Sequence, residues 1–434
     1  MKYAVVTFGC RVNQADSLGF EEELLAGGAV ASPPQDADLV IVNTCSVTAT
    51  ADQGARQTIR RIARDNPAAR IVVTGCYATR RPDEIAALPN VARVVLNDDK
   101  PRLIQLLKEG TSAVPSPGDG PCGATIEPGV AGRTAFTLRV QTGCAELCSY
   151  CIIPATRGTP RSVPTGDLLR EVERVSAAGF REIALTGVHL GSYGRDLDPR
   201  SSLIELLRAL DDYTLERSAK ADGRSAKALA ERILFRISSL EPMDCSHEIV
   251  DLVASSPRFA PHFHLPLQHA SDRMLAAMRR PYTIEYYASL VDDIRARVPN
   301  ASIGSDIIVG FPGETDEDFE QLAEYLERSP LTHIHVFPYS DRPGTPASAM
   351  DGKVHGVVVR ERGRRIREIG RRLSDRFHSS QVGTTHRALT LEDGTLAVTG
   401  NYLKVRIPAG HARNKWVNLR VSSATELLTA DILP

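Results

Sequence analysis

At 434 residues the chain is too long for one ordinary hydrophobic core, and at roughly 150 residues per domain it calls for about three. Hydrophobic residues make up 42% and charged residues 24%, which excludes wholesale disorder and collagen-like repeats, and no apolar run reaches the roughly 18 residues of a membrane span. A net charge of −1 excludes a uniformly cationic surface but leaves room for local basic patches, and the opening MKYAVVTFGCRVNQ turns polar before it can form a secretory h-region, so a cytoplasmic location is expected.

The first segment alternates strand-like runs (KYAVVTFG, ADLVIVNTCSV, ARIVVTGCYA) with helical patterns (SLGFEEELLAGG, ARQTIRRIARDN). Near-continuous apolar strands between amphipathic helices predict a doubly wound parallel α/β domain over residues 1–112. Residues 113–133, rich in Gly, Pro, Ser and Thr, read as a linker. From 134 to 352 the alternation resumes with six strands (FTLRVQTG, EIALTGVHL, RILFRISSL, HFHLPLQ, SIGSDIIVGF, HIHVFPYS), which fit a partial (β/α)6 barrel. TLERSAKADGRSAKALAE interrupts it as a solvated insertion after a helix expected to end near Leu210. Residues 353–379 form a helical stretch in which, through His378, nine basic side chains face three acidic ones. Residues 380–434 show short alternating strands with Asp-Gly and Ala-Gly turns, as in a small OB-like β-barrel.

The eight cysteines are unevenly placed. Without a secretory signal, clustered thiols point to metal or redox chemistry in preference to disulfides. Cys144, Cys148 and Cys151 form a C-x3-C-x2-C run directly after the first barrel strand. Three thiolates so spaced suit three irons of a cubane cluster and leave the fourth iron open, whereas structural zinc ordinarily takes four protein ligands. Cys10, Cys45 and Cys76 each close a predicted strand of the first domain, the edge at which open α/β sheets bind ligands. Cys122, alone in the linker, reads as incidental, and no role is legible for Cys245.

The C-x3-C-x2-C loop, with Tyr150 before its last cysteine, resembles the radical S-adenosylmethionine superfamily. The whole chain resembles its methylthiotransferase branch, through TFGCRVNQADS, VNTCSVTATA, VTGCYA, VQTGCAELCSYCIIPATRG, TGVHLGSYG, LPLQHASDRMLAAMRRPYT, DIIVGFPGET and FPYSDRPGTPA. That resemblance implies two 4Fe–4S clusters, one on Cys10, Cys45 and Cys76 and one on Cys144, Cys148 and Cys151, all six being the catalytic cysteines. It also implies S-adenosylmethionine as the source of a 5′-deoxyadenosyl radical and a C-terminal TRAM domain that binds RNA. GCRVNQADS is similar to the pattern of enzymes acting on N6-threonylcarbamoyladenosine beside the tRNA anticodon, and lacks the Gln-Met-Asn form of isopentenyladenosine enzymes and the Pro-Lys-Asn form of those acting on a ribosomal protein aspartate.

The candidates for holding the cofactor are Gly187, whose bare backbone permits close approach, and Ser238, Glu241, Gln268 and Asp306, polar groups at strand ends. His189, His264, His269, His333 and His335 lie on or near barrel strands, where most histidines only satisfy the core. Arg157 follows the cluster loop and suits either a carboxylate or a phosphate. For RNA the candidates are Arg364, Arg367 and Arg371 on the basic helix, with Tyr402, Lys404, Arg406 and Trp416 in the β-module. The expected partner is the anticodon loop of tRNA. A non-enzymatic iron–sulfur carrier or a zinc-bearing RNA-binding protein is the alternative class; the sulfur donor and the reductant are not legible.

Overall fold

The computed structural model describes residues 1–108, 134–220, 233–424 and 427–434. The linker expected at 113–133, with Cys122, lies outside the described residues. Two compact units are present: one joins the N-terminal residues with 142–160 and 340–348, and the other holds the remainder. The cysteine-triplet loop therefore packs with the N-terminal unit, although the sequence places it between barrel strands.

In the first unit the order is β1 (Lys2–Thr7), α1 (Arg11–Ala26), β2 (Val30–Ala31), β3 (Leu39–Thr44), α2 (Ala49–Asp65), β4 (Arg70–Gly75), α3 (Cys76–Arg80), α4 (Pro82–Ala86), β5 (Val91–Val95) and α5 (Leu103–Lys108). The strands form one parallel sheet ordered β2-β1-β3-β4-β5. Alternation along the strands serves two cores: Leu39, Ile41 and Val72 pack with Phe20, Leu24 and Leu103, while Val40, Val42 and Val73 pack with Ile59, Tyr77 and Ile85. Each such side chain contributes about 1.5–3 kcal/mol by leaving water. Strand order reverses between β1 and β3, which makes their carboxyl ends the topological switch point where such sheets bind ligands. A short helix, α6 (Ile153–Arg157), follows the triplet in the same unit.

The second unit carries the expected six parallel strands. They are β6 (Phe136–Arg139), β9 (Glu182–Thr186), β10 (Leu234–Ile237), β11 (His262–His264), β12 (Ser302–Val309) and β13 (His333–Pro338); the short β7 (Gln141–Thr142) and β8 (Arg161–Ser162) bracket the triplet loop. Sheets β6-β9-β10 and β11-β12-β13 are joined by the Phe235–Phe259 and Ser239–His264 bridges, giving a partial barrel. The helices between are α7 (Thr165–Ala177), α8 (Leu203–Lys220), α9 (His247–Ser255), α10 (Asp272–Ala277), α11 (Ile284–Arg297) and α12 (Asp316–Arg328). Helix α8 runs on to Lys220, past its expected end near Leu210, so the start of the insertion is helical; residues 221–232 lie outside the described residues.

A long helix, α13 (Gly356–Ser380), leads into a closed barrel of β14 (Thr385–Leu391), β15 (Leu396–Thr399), β16 (Lys404–Arg406), β17 (Trp416–Ala424) and β18 (Leu428–Ile432). Phe377 of α13 joins the barrel core of Ala388, Leu403, Val405, Leu419 and Val421, so helix and barrel share one apolar cluster. The acids that α13 lacks in its own sequence come from around α12: Arg362 meets Glu314 at 2.6 Å and Asp316 at 2.5 Å, and Arg372 meets Glu327 at 2.8 Å. One face of the basic helix is thus neutralised by acids that its own sequence does not supply.

Candidate functional site

Cys45 and Cys76 directly follow β3 and β4, and Cys10 follows β1 by three residues, so the first two flank the switch point and its neighbouring strand. Cys10 is exposed, and Cys45 and Cys76 are buried. Gly9 has φ +95 and a Cβ there would lie 2.6 Å from Cys45 Sγ; only glycine lets these two turns meet. Burial pushes the Cys45 thiol up to about 11, with the Cys76 and Cys10 charges adding to the rise, and the Val47 backbone N–H opposing it.

Cations border the same thiols. Lys100 is buried, its Nζ 2.9 Å from Asp16 Oδ2 and 3.1 Å from Asn43 Oδ1; burial pulls its pKa down, and Asp16 and Cys76 oppose that. Arg157 Nη2 approaches the same Asp16 oxygen at 3.4 Å. Burial works against the guanidinium charge, but Cys76, Asp16 and Cys10 hold its pKa above the ordinary arginine range. Two cations share one carboxylate, and the surplus positive charge faces the thiols. That electrostatic setting suits an anionic thiolate-bound cluster. Arg157, proposed from sequence as an anion partner, is here; Lys100, which carried no motif signal, is the residue sequence reasoning missed.

The triplet loop is held within the same unit. Cys144 N–H donates to Gly158 O at 3.0 Å, and Ala347 N–H donates to Ser149 O at 2.8 Å. Glu146 N–H lies 3.4 Å from Cys144 Sγ and Ile153 N–H 3.5 Å from Cys151 Sγ, donors that favour thiolate. Asn97 Nδ2 links the two cysteine regions, donating to Thr156 O at 2.7 Å and approaching Cys76 Sγ at 3.8 Å. Among the described residues His264, His333 and His335 form a group whose ligand atoms all lie within 4.8 Å of one another.

In the second unit the cofactor candidates separate into two kinds. A Cβ on Gly187 would fall 2.8 Å from Leu190 and 3.0 Å from Gln141 Oε1. Gln141 in turn accepts from Val188 and His189 N–H, both at 3.0 Å, and donates to Ser192 Oγ at 3.1 Å, fixing the loop after β9. Ser238 Oγ is buried with no hydrogen-bond partner, an orphaned polar atom at the end of β10 that suits a missing ligand. Gln268 sits at φ 69, its N–H and C=O tied to Asp306 O and Ile308 N at 2.8 Å each. Glu241 is already engaged by Arg280, and Asp306 Oδ1 lies 3.1 Å from His264 Nε2. His189 is held by Asp244 at 2.8 Å, and His269 Nδ1 accepts from Ser271 N–H at 3.0 Å, both structural roles. Burial, with His264 and His335 adjoining, pushes His333 down to about 4.

Of the RNA candidates, Arg364, Arg367 and Arg371 are exposed on the face of α13 that α12 leaves uncovered, with Arg371 3.8 Å from Glu368. Lys404 and Arg406 are exposed on β16, Lys404 reaching Glu392 at 3.2 Å. Tyr402, exposed on the barrel, has the Arg236 guanidinium 4.6 Å from its ring centroid and packs on His262 at 5.1 Å, and Trp416 has Arg387 at 3.9 Å, so each ring carries an arginine beside it.

A partial parallel barrel matched over residues 138–326 by the Radical SAM superfamily, in a chain that also carries a thiol-bearing α/β sheet matched over residues 2–97 by the uncharacterized protein family UPF0004, defines a radical S-adenosylmethionine protein. Similar over nearly the whole chain is the threonylcarbamoyladenosine tRNA methylthiotransferase MtaB of Aquifex aeolicus, 36% identical over 94% of this chain and 96% of that one; its Bacillus subtilis counterpart is 33% identical over 92% and 88%. The tRNA-2-methylthio-N(6)-dimethylallyladenosine synthase of Streptomyces griseus is 33% identical over 90% of this chain and 76% of its own. The chain belongs to the radical S-adenosylmethionine tRNA methylthiotransferase family. The radical S-adenosylmethionine methyltransferase TsrM of Kitasatospora setae shares the fold, with a TM-score of 0.55 and 17% identity over 80% of this chain and 77% of that one. No described helix is long and apolar enough to cross a membrane.

Proposed function

We propose that this chain methylthiolates C2 of N6-threonylcarbamoyladenosine in the anticodon loop of tRNA, using two 4Fe–4S clusters and S-adenosylmethionine. The observation that carries the two-cluster assignment is the convergence of Cys10, Cys45 and Cys76 on the switch point of one sheet, bordered by surplus positive charge, in the same compact unit as Cys144, Cys148 and Cys151. The clusters and S-adenosylmethionine supply the one-electron chemistry that opens an unactivated C–H bond and the sulfur and methyl group that replace the hydrogen. Cys144, Cys148 and Cys151 hold one cluster and leave an iron open to the cofactor. Cys10, Cys45 and Cys76 hold the other, with Arg157 and Lys100 offsetting its negative charge.

Gly187 and Gln141 shape the loop for backbone approach, and Ser238 and Gln268 are the polar groups offered to the cofactor. Glu241 and Asp306 serve instead through the partners that already hold them. Arg364, Arg367 and Arg371, with Lys404 and Arg406, are the phosphate contacts, and tRNA places the work in the cytoplasm. Replacing the three α13 arginines by glutamine should weaken tRNA binding and flatten its salt dependence by about 2–3 log–log units at 0.7–0.9 per contact, without changing cofactor cleavage.

The test is nucleoside mass spectrometry after incubating anaerobically reconstituted protein with reductant, S-adenosylmethionine, sulfide and tRNA. A methylthio group on threonylcarbamoyladenosine, with isopentenyladenosine untouched, is expected. The reverse preference, or a product on a ribosomal protein, overturns the substrate assignment.

A further inference from the structure

We propose that His264, His333 and His335 form a binding site for one divalent cation of the zinc class within the barrel of the second unit. Strand register puts them together: His264 stands opposite Gly304, Gly304 opposite His333, and Asp306 opposite His335. Because side chains alternate along a strand, 304 with 306 and 333 with 335 face the same way. The ligand atoms of the three histidines all lie within 4.8 Å of one another, with ring centroids 5.6–6.3 Å apart.

His264 Nε2 lies 3.1 Å from Asp306 Oδ1, which puts a carboxylate beside that ring. A hydrogen bond decides which nitrogen of the His333 ring is free. Thr332 Oγ1 accepts from Ile303 N–H at 3.0 Å and donates to Ile303 O at 3.1 Å. Its remaining role toward His333 Nδ1, 3.0 Å away, is as acceptor, which protonates Nδ1 and leaves Nε2 with the lone pair. A Cβ on Gly304 would fall 2.2 Å from His333 Nε2 and 3.0 Å from His264 Nδ1, so only glycine on the central strand lets these two rings come together.

Asp306 beside His264 is the setting in which a carboxylate raises the basicity of a metal-binding imidazole. Three neutral imidazoles suit zinc and its borderline neighbours, not calcium or magnesium, which take oxygen ligands. Nitrogens about 2.0–2.1 Å from one tetrahedral ion stand about 3.3 Å apart, and rotation of the rings closes the spacing to that value. Three protein ligands leave a fourth position for water or a substrate atom.

The experiment uses full-length, cluster-loaded protein freed of adventitious metal, given one equivalent of Zn2+, desalted and analysed for zinc, iron and sulfide, with X-ray absorption at the zinc edge. One retained zinc with a nitrogen and oxygen shell is expected. His333→Gln and Gly304→Ala should each weaken Zn2+ binding at least tenfold while iron and sulfide stay constant, the second with all three histidines in place. Circular dichroism and the unchanged iron content establish that both variants are folded. No retained zinc, sulfur in the zinc shell, or wild-type binding by both variants overturns the site, whether or not the chain modifies tRNA.

Discussion

The cysteine crevice of the first unit and the histidine row of the second solve opposite ligand problems. In the crevice the donors are soft thiols, and Lys100 and Arg157 supply positive charge beside them. In the row, borderline imidazoles lie within 4.8 Å and the charge beside them is the Asp306 carboxylate. Donor type and the sign of the neighbouring charge change together, because thiolates on an anionic cluster need cations, whereas neutral imidazoles on a dication tolerate a carboxylate. Both sites use a glycine to let a ligand side chain approach the backbone closely: Cys45 at Gly9 and His333 at Gly304.

The largest expected effect separates the two thiol triads. Cys148→Ala should reduce S-adenosylmethionine cleavage to background, measured as 5′-deoxyadenosine, whereas Cys45→Ala should preserve cleavage and lose the methylthiolated nucleoside. Loss of cleavage in Cys45→Ala with the triplet cluster intact would contradict that division. Next is Gly9→Ala, in which strain at φ +95 and the 2.6 Å approach to Cys45 Sγ should cost the N-terminal cluster. Iron should fall by about half; the matching Gly304→Ala variant should leave iron unchanged.

Lys100→Met tests the charge half of the contrast. Arg157 remains on Asp16, so the fold should lose only about 1–3 kcal/mol, the cost range for a removed charged hydrogen-bond partner. Iron retention during gel filtration should decline, while Zn2+ binding at the histidines stays as in the parent. The smallest effect is a stability effect remote from both ligand sets. Burial raises the Asp318 carboxyl, but hydrogen bonds from Arg273, Ser271 and Thr315 outweigh it and hold its pKa well below the ordinary aspartate range. A group depressed in the folded state stabilises above its unfolded pKa and loses that contribution as pH falls toward the folded one. Asp318→Asn, which weakens the α12 capping box, should therefore cost about 1–2 kcal/mol at pH 7 in urea unfolding, with the difference shrinking below about pH 4.

Local patterns carried much of the molecule. Six apolar runs spaced by amphipathic helices were legible as six parallel strands because strand burial on both faces leaves a continuous apolar signal. Cys10, Cys45 and Cys76 were legible as a set because each ends such a run, and the triplet because three thiols within eight residues constrain one loop. The charge of α13 was legible only in part. Counting acids within the helix shows too few, but Glu314, Asp316 and Glu327 arrive from another element, and no sequence spacing relates them to Arg362 and Arg372.

The sequence by itself determined the α/β alternation, the six cysteines and the C-terminal strands, since each is written in residues close together along the chain. Tertiary structure alone decided that the triplet loop packs in the N-terminal unit, that Lys100 borders the thiols, that an arginine packs beside each of Tyr402 and Trp416, and that three histidines from two strands flank a glycine on a third. The physical reason is common to all four: each depends on strand register and on which faces pack together. Hydrophobic period fixes which side of an element is buried, but not which distant side chain it meets there.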